Sequence, residues 1–284
     1  MTLEEALGQA IRTFTAHSID EARLEAELLL RHLLKLDRVG LFIDYERRLT
    51  PEQTSAYFAL IRRRINHEPT AYIIGHKEFF GLDFHVSPSV LIPRPETELL
   101  IETAIELISS RFPQSCLIAD IGTGCGAVAI ALAVHLPHAR IYATDISTAA
   151  LEIAEANCQQ HGVSDRVTFL HGSLVDPLPA PVDVIVANLP YVAEPEFADL
   201  TPEIIRFEPK PALAGGTDGL EMIKELLSQL KNKLLSGGAV ILEIGHNHGQ
   251  AVHELAKKRF PESEVSIITD LSGLDRVVSI LMGR

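Results

Sequence analysis

From Cys116 onward the sequence alternates short β-branched, apolar runs with helical patterns, and this alternation restricts the fold more than any other feature. Strand candidates are 116–121, 140–145, 166–170, 182–187, 238–244, 264–269 and 275–282, with helical patterns between most of them, notably at 148–160 and 218–235. Parallel strands need crossover connections, usually helical, so the pattern predicts an α/β fold with a doubly wound, mostly parallel seven-stranded sheet. The last two runs are joined only by a short loop containing Leu271-Ser272-Gly273. That loop is too short for a crossover and forces an antiparallel closing hairpin.

The first 70 residues read as short helices. Leu24, Leu28, Leu29 and Leu33 recur at helical spacing after a start signal at Ser18–Asp20. Thr50-Pro51-Glu52-Gln53 is a capping box with proline at the first helical position, opening a helix toward Arg64. The Arg62-Arg63-Arg64 cluster is expected to be a solvated helix face. From Ala71 to Val90 the aromatic and β-branched residues predict a β-hairpin turning at Gly81. Pro93-Arg94-Pro95 then stiffens the chain, and Glu96-Thr97-Glu98 opens a helix carrying Leu99, Leu100, Ile101 and Ile108. The expected organisation is a helical domain at 1–70, a β-hairpin linker at 71–92 and a catalytic domain at 93–284.

The net charge of −13 argues against a surface for bare nucleic acid, where phosphate neutralisation supplies most of the affinity. Residues 1–75 hold ten basic and eleven acidic side chains, so the negative excess lies in the rest of the chain. A protein or small-molecule substrate is expected instead. No run approaches the roughly 18 apolar residues of a membrane span, and the acidic N-terminus does not resemble a signal peptide. Three cysteines without a CxxC pair argue against a disulfide framework or a zinc site. The expectation is a cytoplasmic monomer with no membrane association and no metal. His246 and His248 lie in a loop after the fifth strand with no recognisable metal-ligand pattern, and are expected to be surface histidines.

The sharpest local motif is Asp120-Ile121-Gly122-Thr123-Gly124-Cys125-Gly126-Ala127, at the end of the first sheet strand. Glycines there let the backbone approach a ligand at a helix N-terminus. Gly122, Gly124 and Ala127 also satisfy the dinucleotide pattern GxGxxG/A, and Asp145 at the end of the second strand suits the ribose of either NAD or S-adenosylmethionine. Asp120, two residues before the first glycine, favours S-adenosylmethionine. Gly172-Ser173 follows the third strand, where an adenine edge would lie. Cys125 occupies a freely varying position of the loop and is given no nucleophilic role.

The fourth strand stops at Asn188-Leu189-Pro190-Tyr191. In an arbitrary protein this is a strand-end turn. After a complete cofactor signature it becomes a way to use a poor nucleophile. An amide nitrogen has its lone pair delocalised into the carbonyl, so an enzyme must grip both N–H bonds and aim the nitrogen. The side-chain carbonyl of Asn188 can accept one N–H and the backbone carbonyl of the next residue the other. Tyr191 can stack on the flat group, and Pro190 restricts the chain so that these groups converge. Rate then comes from orientation and excluded water, without a strong general base.

With these motifs the chain resembles the HemK-like glutamine-N5 methyltransferases of peptide-chain release factors. The resemblance extends to Glu68-Pro69, Ala71-Tyr72-Ile73, the hairpin Phe-Phe-Gly-Leu-Asp-Phe-His-Val, and above all Leu91-Ile92-Pro93-Arg94-Pro95-Glu96-Thr97-Glu98. Downstream it includes Glu208-Pro209, Pro211-Ala212-Leu213, Gly216, Asp218-Gly219-Leu220, Glu243-Ile244-Gly245 and Asp275-Arg276-Val277. It implies a Rossmann-like class I methyltransferase domain and a helical N-terminal domain that docks class 1 release factors. It also implies a pocket that methylates the glutamine of a Gly-Gly-Gln loop. S-adenosylmethionine would be bound by Gly122, Thr123, Gly124, Cys125, Gly126, Asp145, Ser173, Leu174 and Asn188, and the glutamine amide by Asn188, Leu189, Pro190 and Tyr191. Two positions depart from the family pattern. Leu189 replaces a usual proline, and Leu174 stands where some members place a tryptophan near the adenine. Asn-Leu-Pro-Tyr is also the form seen in RNA adenine dimethyltransferases, so methylation of adenine in RNA or DNA is the enzyme alternative. A non-catalytic nucleotide-binding protein is the other, and intact Asn188 and Tyr191 speak against it.

Overall fold

Thr2 with Glu5, and Thr50 with Gln53, exchange side-chain and backbone hydrogen bonds, so two helix starts are written locally in the sequence. The structure, a computed structural model, describes residues 1–283. Its helical part consists of α1 (Leu3–Ala16), α2 (Ala22–Leu34), α3 (Arg38–Ile43), α4 (Pro51–Ile65) and α5 (Thr70–Ile74). These close around a core that includes Phe14, Leu29, Leu30, Leu41, Tyr57 and Ile61. The Tyr57 hydroxyl donates to the Ala26 carbonyl at 2.9 Å, which satisfies its one polar atom inside that core.

Three sequence expectations change here. The buried residues of α2 are Ala26, Glu27, Leu29 and Leu30, with Leu33 packed partly buried against the core, whereas Leu24 is exposed. Its N-terminus has Glu21 in the left-handed region and no side-chain cap, so Ser18–Asp20 do not start it. The arginine cluster is a solvated face at Arg62 and Arg63 but not at Arg64, which is 4% exposed and whose guanidinium pairs with Glu25 at 2.8 Å and Glu203 at 2.7 Å. A buried arginine needs such partners, since removing one leaves an uncompensated charge. Arg63 pairs with Glu68.

The remaining elements are β1 (His76–Phe79), β2 (Leu82–His85), α6 (Thr97–Arg111), β3 (Cys116–Ile121), α7 (Ala127–His135), β4 (Ala139–Asp145), α8 (Thr148–Gln160), β5 (Val167–His171), β6 (Val182–Ala187), α9 (Pro202–Phe207), α10 (Glu221–Gln229), β7 (Leu234–Glu243), α11 (Gly249–Arg259), β8 (Glu264–Thr269) and β9 (Asp275–Leu281). The chain forms two compact units, Met1–His76 with Thr201–Phe207, and Lys77–Leu200 with the chain from Glu208 onward. The predicted hairpin is confined to β1 and β2, while residues 70–74 are the helix α5, ended by Gly75 at φ +81°.

The seven-stranded sheet has the order β5-β4-β3-β6-β7-β9-β8. It is parallel through β7 and antiparallel at β7–β9 and β8–β9, as the short last loop requires. β3 and β6 lie centrally and are buried along nearly their whole length, which explains their unbroken apolar runs. The helix expected at 218–235 is shorter. Gly219 at φ +74° delays its start, and from Leu234 the chain is already strand, paired with Val182 across a register shift. Among the described residues no helix is long and apolar enough to cross a membrane.

Candidate active site

β3 and β6 are parallel neighbours with Ile121 opposite Ala187, so the chain leaves both strands at one level. Gly122 and Asn188 therefore begin adjacent loops at the C-terminal edge, where open α/β sheets hold ligands. A β-carbon on Gly122 would stand 3.5 Å from Leu189 Cδ2 and 4.0 Å from the Asn188 carbonyl oxygen.

The first loop is shaped by backbone. Gly122, Gly124 and Gly126 all have left-handed φ, between 56° and 84°. A β-carbon on Gly126 would meet Ile130 Cδ1 at 2.9 Å and Ala154 Cβ at 3.1 Å, so glycine is needed there on two counts. The N–H groups of Gly122 and Thr123 both donate to the Thr144 carbonyl at 2.9 Å. Asp145 Oδ2 accepts from Gly124 N–H and its Oδ1 from Ser147 N–H, each at 2.9 Å. A carboxylate offers about four lone-pair sites, so both oxygens keep capacity for hydroxyl groups of a ligand. Asn157 holds the loop from behind: its Nδ2 donates to the Cys125 carbonyl at 2.8 Å and to the His85 carbonyl at 3.0 Å, and its Oδ1 accepts from His85 N–H at 2.7 Å.

Buried Asp120 accepts from the Thr123 hydroxyl at 2.6 Å and Ala129 N–H at 3.1 Å. Burial pushes its carboxyl up to about 7 against those bonds. Burial also pushes the Cys125 thiol up to about 12, which keeps it protonated and unreactive.

A cleft joins this loop to the second one. Its wall includes Gly122, Thr123, Gly124, Cys125 and Asn188, and also Leu91, Pro93, Arg94 and Thr97. The run Leu91–Glu98, the most specific part of the resemblance, thus contributes Leu91, Pro93, Arg94 and Thr97 to the site. Asn188 Nδ2 donates to Thr97 Oγ1 at 3.1 Å. Arg94 is ion-paired with the buried Glu208. Tyr191 is largely buried, its hydroxyl donating to Glu243 Oε1 at 3.3 Å; burial raises its pKa. The Tyr191 backbone runs between two glycines, since a β-carbon would lie 2.7 Å from its Cα at Gly215 and 2.4 Å from its carbonyl oxygen at Gly219.

Leu189 is buried beside the glycine loop. Ser173 is exposed on the loop after β5, which Gly172 N–H ties to the Asp145 carbonyl at 3.0 Å. Leu174 has φ 46° and packs into the sheet's apolar core. Of the expected site residues, the cleft wall includes Gly122, Thr123, Gly124, Cys125 and Asn188 but not Gly126, Asp145, Ser173, Leu174, Leu189, Pro190 or Tyr191. His246 is exposed, but His248 is 6% exposed, contrary to the surface position expected for it. It fills the space left by Gly219 and Gly245, and burial lowers its pKa. Among the described residues no cluster of three or more His, Cys, Asp or Glu side chains is placed to hold a metal ion. Sequence reasoning gave no site role to Arg94, Thr97 or Glu243; the run Leu91–Glu98 and the strand-end position of Glu243 were the available signals.

Two family models match the chain: the PrmC N-terminal domain over residues 5–75 and the methyltransferase small domain over residues 97–216. The chain is 42% identical over 277 residues to the release factor glutamine methyltransferase of Moorella thermoacetica, covering 97% of each chain. It is 41% identical over 279 residues to that of Coxiella burnetii, covering 98% of each. Solved structures with the same fold include the ribosomal protein L11 methylase from Lactobacillus delbrueckii subsp. bulgaricus, at TM-score 0.51 and 21% identity over 70% of this chain and 84% of that one. The hMettl16 catalytic domain aligns at TM-score 0.57 and 17% identity, over 81% of this chain and 82% of that one. At such identities these two establish the class I methyltransferase fold and nothing finer. The likeness to the curated relatives runs nearly end to end, through both units, and on that ground the chain belongs to the release factor glutamine methyltransferase family.

Proposed function

We propose that the protein transfers a methyl group from S-adenosylmethionine to the side-chain amide nitrogen (N5) of the glutamine in the Gly-Gly-Gln loop of class 1 release factors. The observation that carries this reading is the Asn188 carboxamide, next to the glycine loop, with its Nδ2 committed to Thr97. Its Oδ1 then accepts one N–H of the glutamine, and the Leu189 carbonyl accepts the other. Tyr191 lies against the flat amide. With both N–H bonds held, the nitrogen has one direction left in which to react, and orientation supplies the rate.

When bound, S-adenosylmethionine supplies an electrophilic methyl group on a sulfonium that leaves as a neutral thioether. The loop Gly122–Gly126 and Asp145 fit it: three left-handed glycines leave backbone room, and the Asp145 carboxylate has spare lone pairs for ribose hydroxyls. Ser173 and Leu174 border the adenine. The nitrogen–carbon bond would form as the sulfur–methyl bond breaks, and the proton the amide loses would pass to water; no step is assigned to a metal. The helical domain at 1–70 docks the release factor, and the enzyme works as a cytoplasmic monomer. The net charge of −13 favours this over methylation of adenine in RNA or DNA.

The test is mass spectrometry of an unmethylated release factor after incubation with enzyme and S-adenosylmethionine. The expected result is a gain of one methylene, fragmented to the loop glutamine. Transfer to RNA alone overturns the reading.

A further inference from the structure

Asn188 and Tyr191 converge on one buried carboxyl group. β6 and β7 pair with Ala187 opposite Leu242, so Asn188 and Glu243 leave the sheet side by side. Glu243 is 1% exposed. Its Oε1 accepts from the Tyr191 hydroxyl, the Thr97 hydroxyl lies against the same carboxyl, and Oε2 is buried without a hydrogen-bond partner among the described residues. Thr97 in turn stands between Glu243 and Asn188.

We propose that Thr97 and Glu243 are positioning residues for methyl transfer, forming a one-way hydrogen-bond chain that keeps the Asn188 side-chain carbonyl toward the substrate while the same carboxylate anchors Tyr191. The inference rests on the reading of Asn188 as the amide clamp. The two ends of a carboxamide have nearly the same shape, so packing alone does not decide which one enters the site. Flipped, Asn188 would present N–H to the N–H of the substrate, and the clamp would repel what it must hold. A carboxylate only accepts, and a hydroxyl has a single proton. With its one proton turned toward Glu243, the Thr97 hydroxyl is left to accept from Asn188, which commits Nδ2 inward and leaves Oδ1 for the substrate.

This chain works in one direction only while Glu243 is charged. The charged and titratable groups facing it are Arg276 on β9, Glu96 at the start of α6 and Tyr191 after β6. Burial and Glu96 raise its pKa, against Arg276 and the two hydroxyls, and the balance lies at about 7. A protonated carboxyl also donates, so Thr97 can reverse and the orientation of Asn188 is released.

The test compares Thr97→Val, Thr97→Ser, Glu243→Gln and Asn188→Ala by steady-state kinetics on an intact class 1 release factor, with S-adenosylmethionine affinity measured by calorimetry. Thr97→Val and Glu243→Gln should each lower kcat about tenfold, the worth of roughly one hydrogen bond, with cofactor affinity retained. The double variant should lose little more than either single one, because both break the same chain. Thr97→Ser should restore most of kcat. In the wild type, kcat should rise with pH through about 7, and Glu243→Gln should remove that limb. Wild-type kcat in both Thr97→Val and Glu243→Gln, with Asn188→Ala inactive, overturns the chain and leaves the clamp standing. Wild-type kcat in Asn188→Ala overturns the clamp itself. Thr97→Ser no better than Thr97→Val means that Thr97 only fills space, which also defeats the proposal. If Thr97→Val fails to fold, the pH profile of Glu243→Gln decides alone.

Discussion

The two loops that make the site are built from different materials. The glycine loop takes its shape from backbone: left-handed φ at Gly122, Gly124 and Gly126, and amide groups tied to Thr144 and Asp145. The second loop depends on side chains brought from far apart in sequence, with Asn188 bonded to Thr97 and Tyr191 to Glu243. A backbone loop whose amides are already bonded offers a ligand a fixed shape with no side chain in the way. A side-chain clamp instead sets donor and acceptor direction, which is what discriminates one nitrogen from another. Damage to the first should therefore weaken binding, and damage to the second should slow the reaction.

The sharpest separation should come from Asn188→Ala. It removes the grip on the amide and should lower kcat by about 10²-fold or more, with much of the affinity for S-adenosylmethionine retained by calorimetry. A large loss of cofactor affinity would mean the two loops do not divide the work this way. Asp145→Ala should do the reverse, raising the KM for S-adenosylmethionine about tenfold or more, through loss of charge-assisted hydrogen bonds worth about 1.5–3 kcal/mol each, while kcat at saturation changes little. Selective binding of NAD by the wild type would replace the cofactor assignment altogether.

The smallest effect concerns pH, because each loop hides one carboxyl with a raised pKa. Asp120 and Glu243 both sit at about 7, raised mainly by burial from 3.8 and 4.5. A group that holds its proton more tightly when folded stabilises the fold below its unfolded pKa, and that stabilisation is lost as pH rises to the folded value. Tm should thus decline by a few degrees between about pH 4 and pH 7, followed by scanning fluorimetry. Asp120→Asn and Glu243→Gln should each flatten part of the decline, but only Glu243→Gln should alter the pH dependence of kcat. A Tm that rises across this window would contradict the burial of both groups as charged species.

The same division decides what the sequence reveals. The glycine loop is legible because its cause is local: glycine at fixed spacing after an apolar strand. Strands 116–121, 182–187 and 264–269 are read to the residue for the same reason, an apolar run with clear ends. Arg64 is misread because its neighbours Arg62 and Arg63 imply solvent, while the partner that buries it, Glu203, arrives from α9. His248 is misread because the space it fills is created by Gly219 on another segment. Thr97 reads as part of a helix start, which it is; its second task becomes visible only when β6 and β7 bring Asn188 and Glu243 to its side.

The pairing of Ala187 with Leu242 also sets where this chain tolerates insertion or deletion. Residues 188–233 connect β6 to β7, and lengthening part of that connection away from the site carries only a slowly growing entropic penalty. Adding or removing one residue inside either strand is different in kind. It slips the register by one, turns every following side chain to the opposite face of the sheet, and separates Asn188 from Glu243. Exposed parts of the connection can thus change in length, while the two strands that feed the chemistry are locked to whole-register steps.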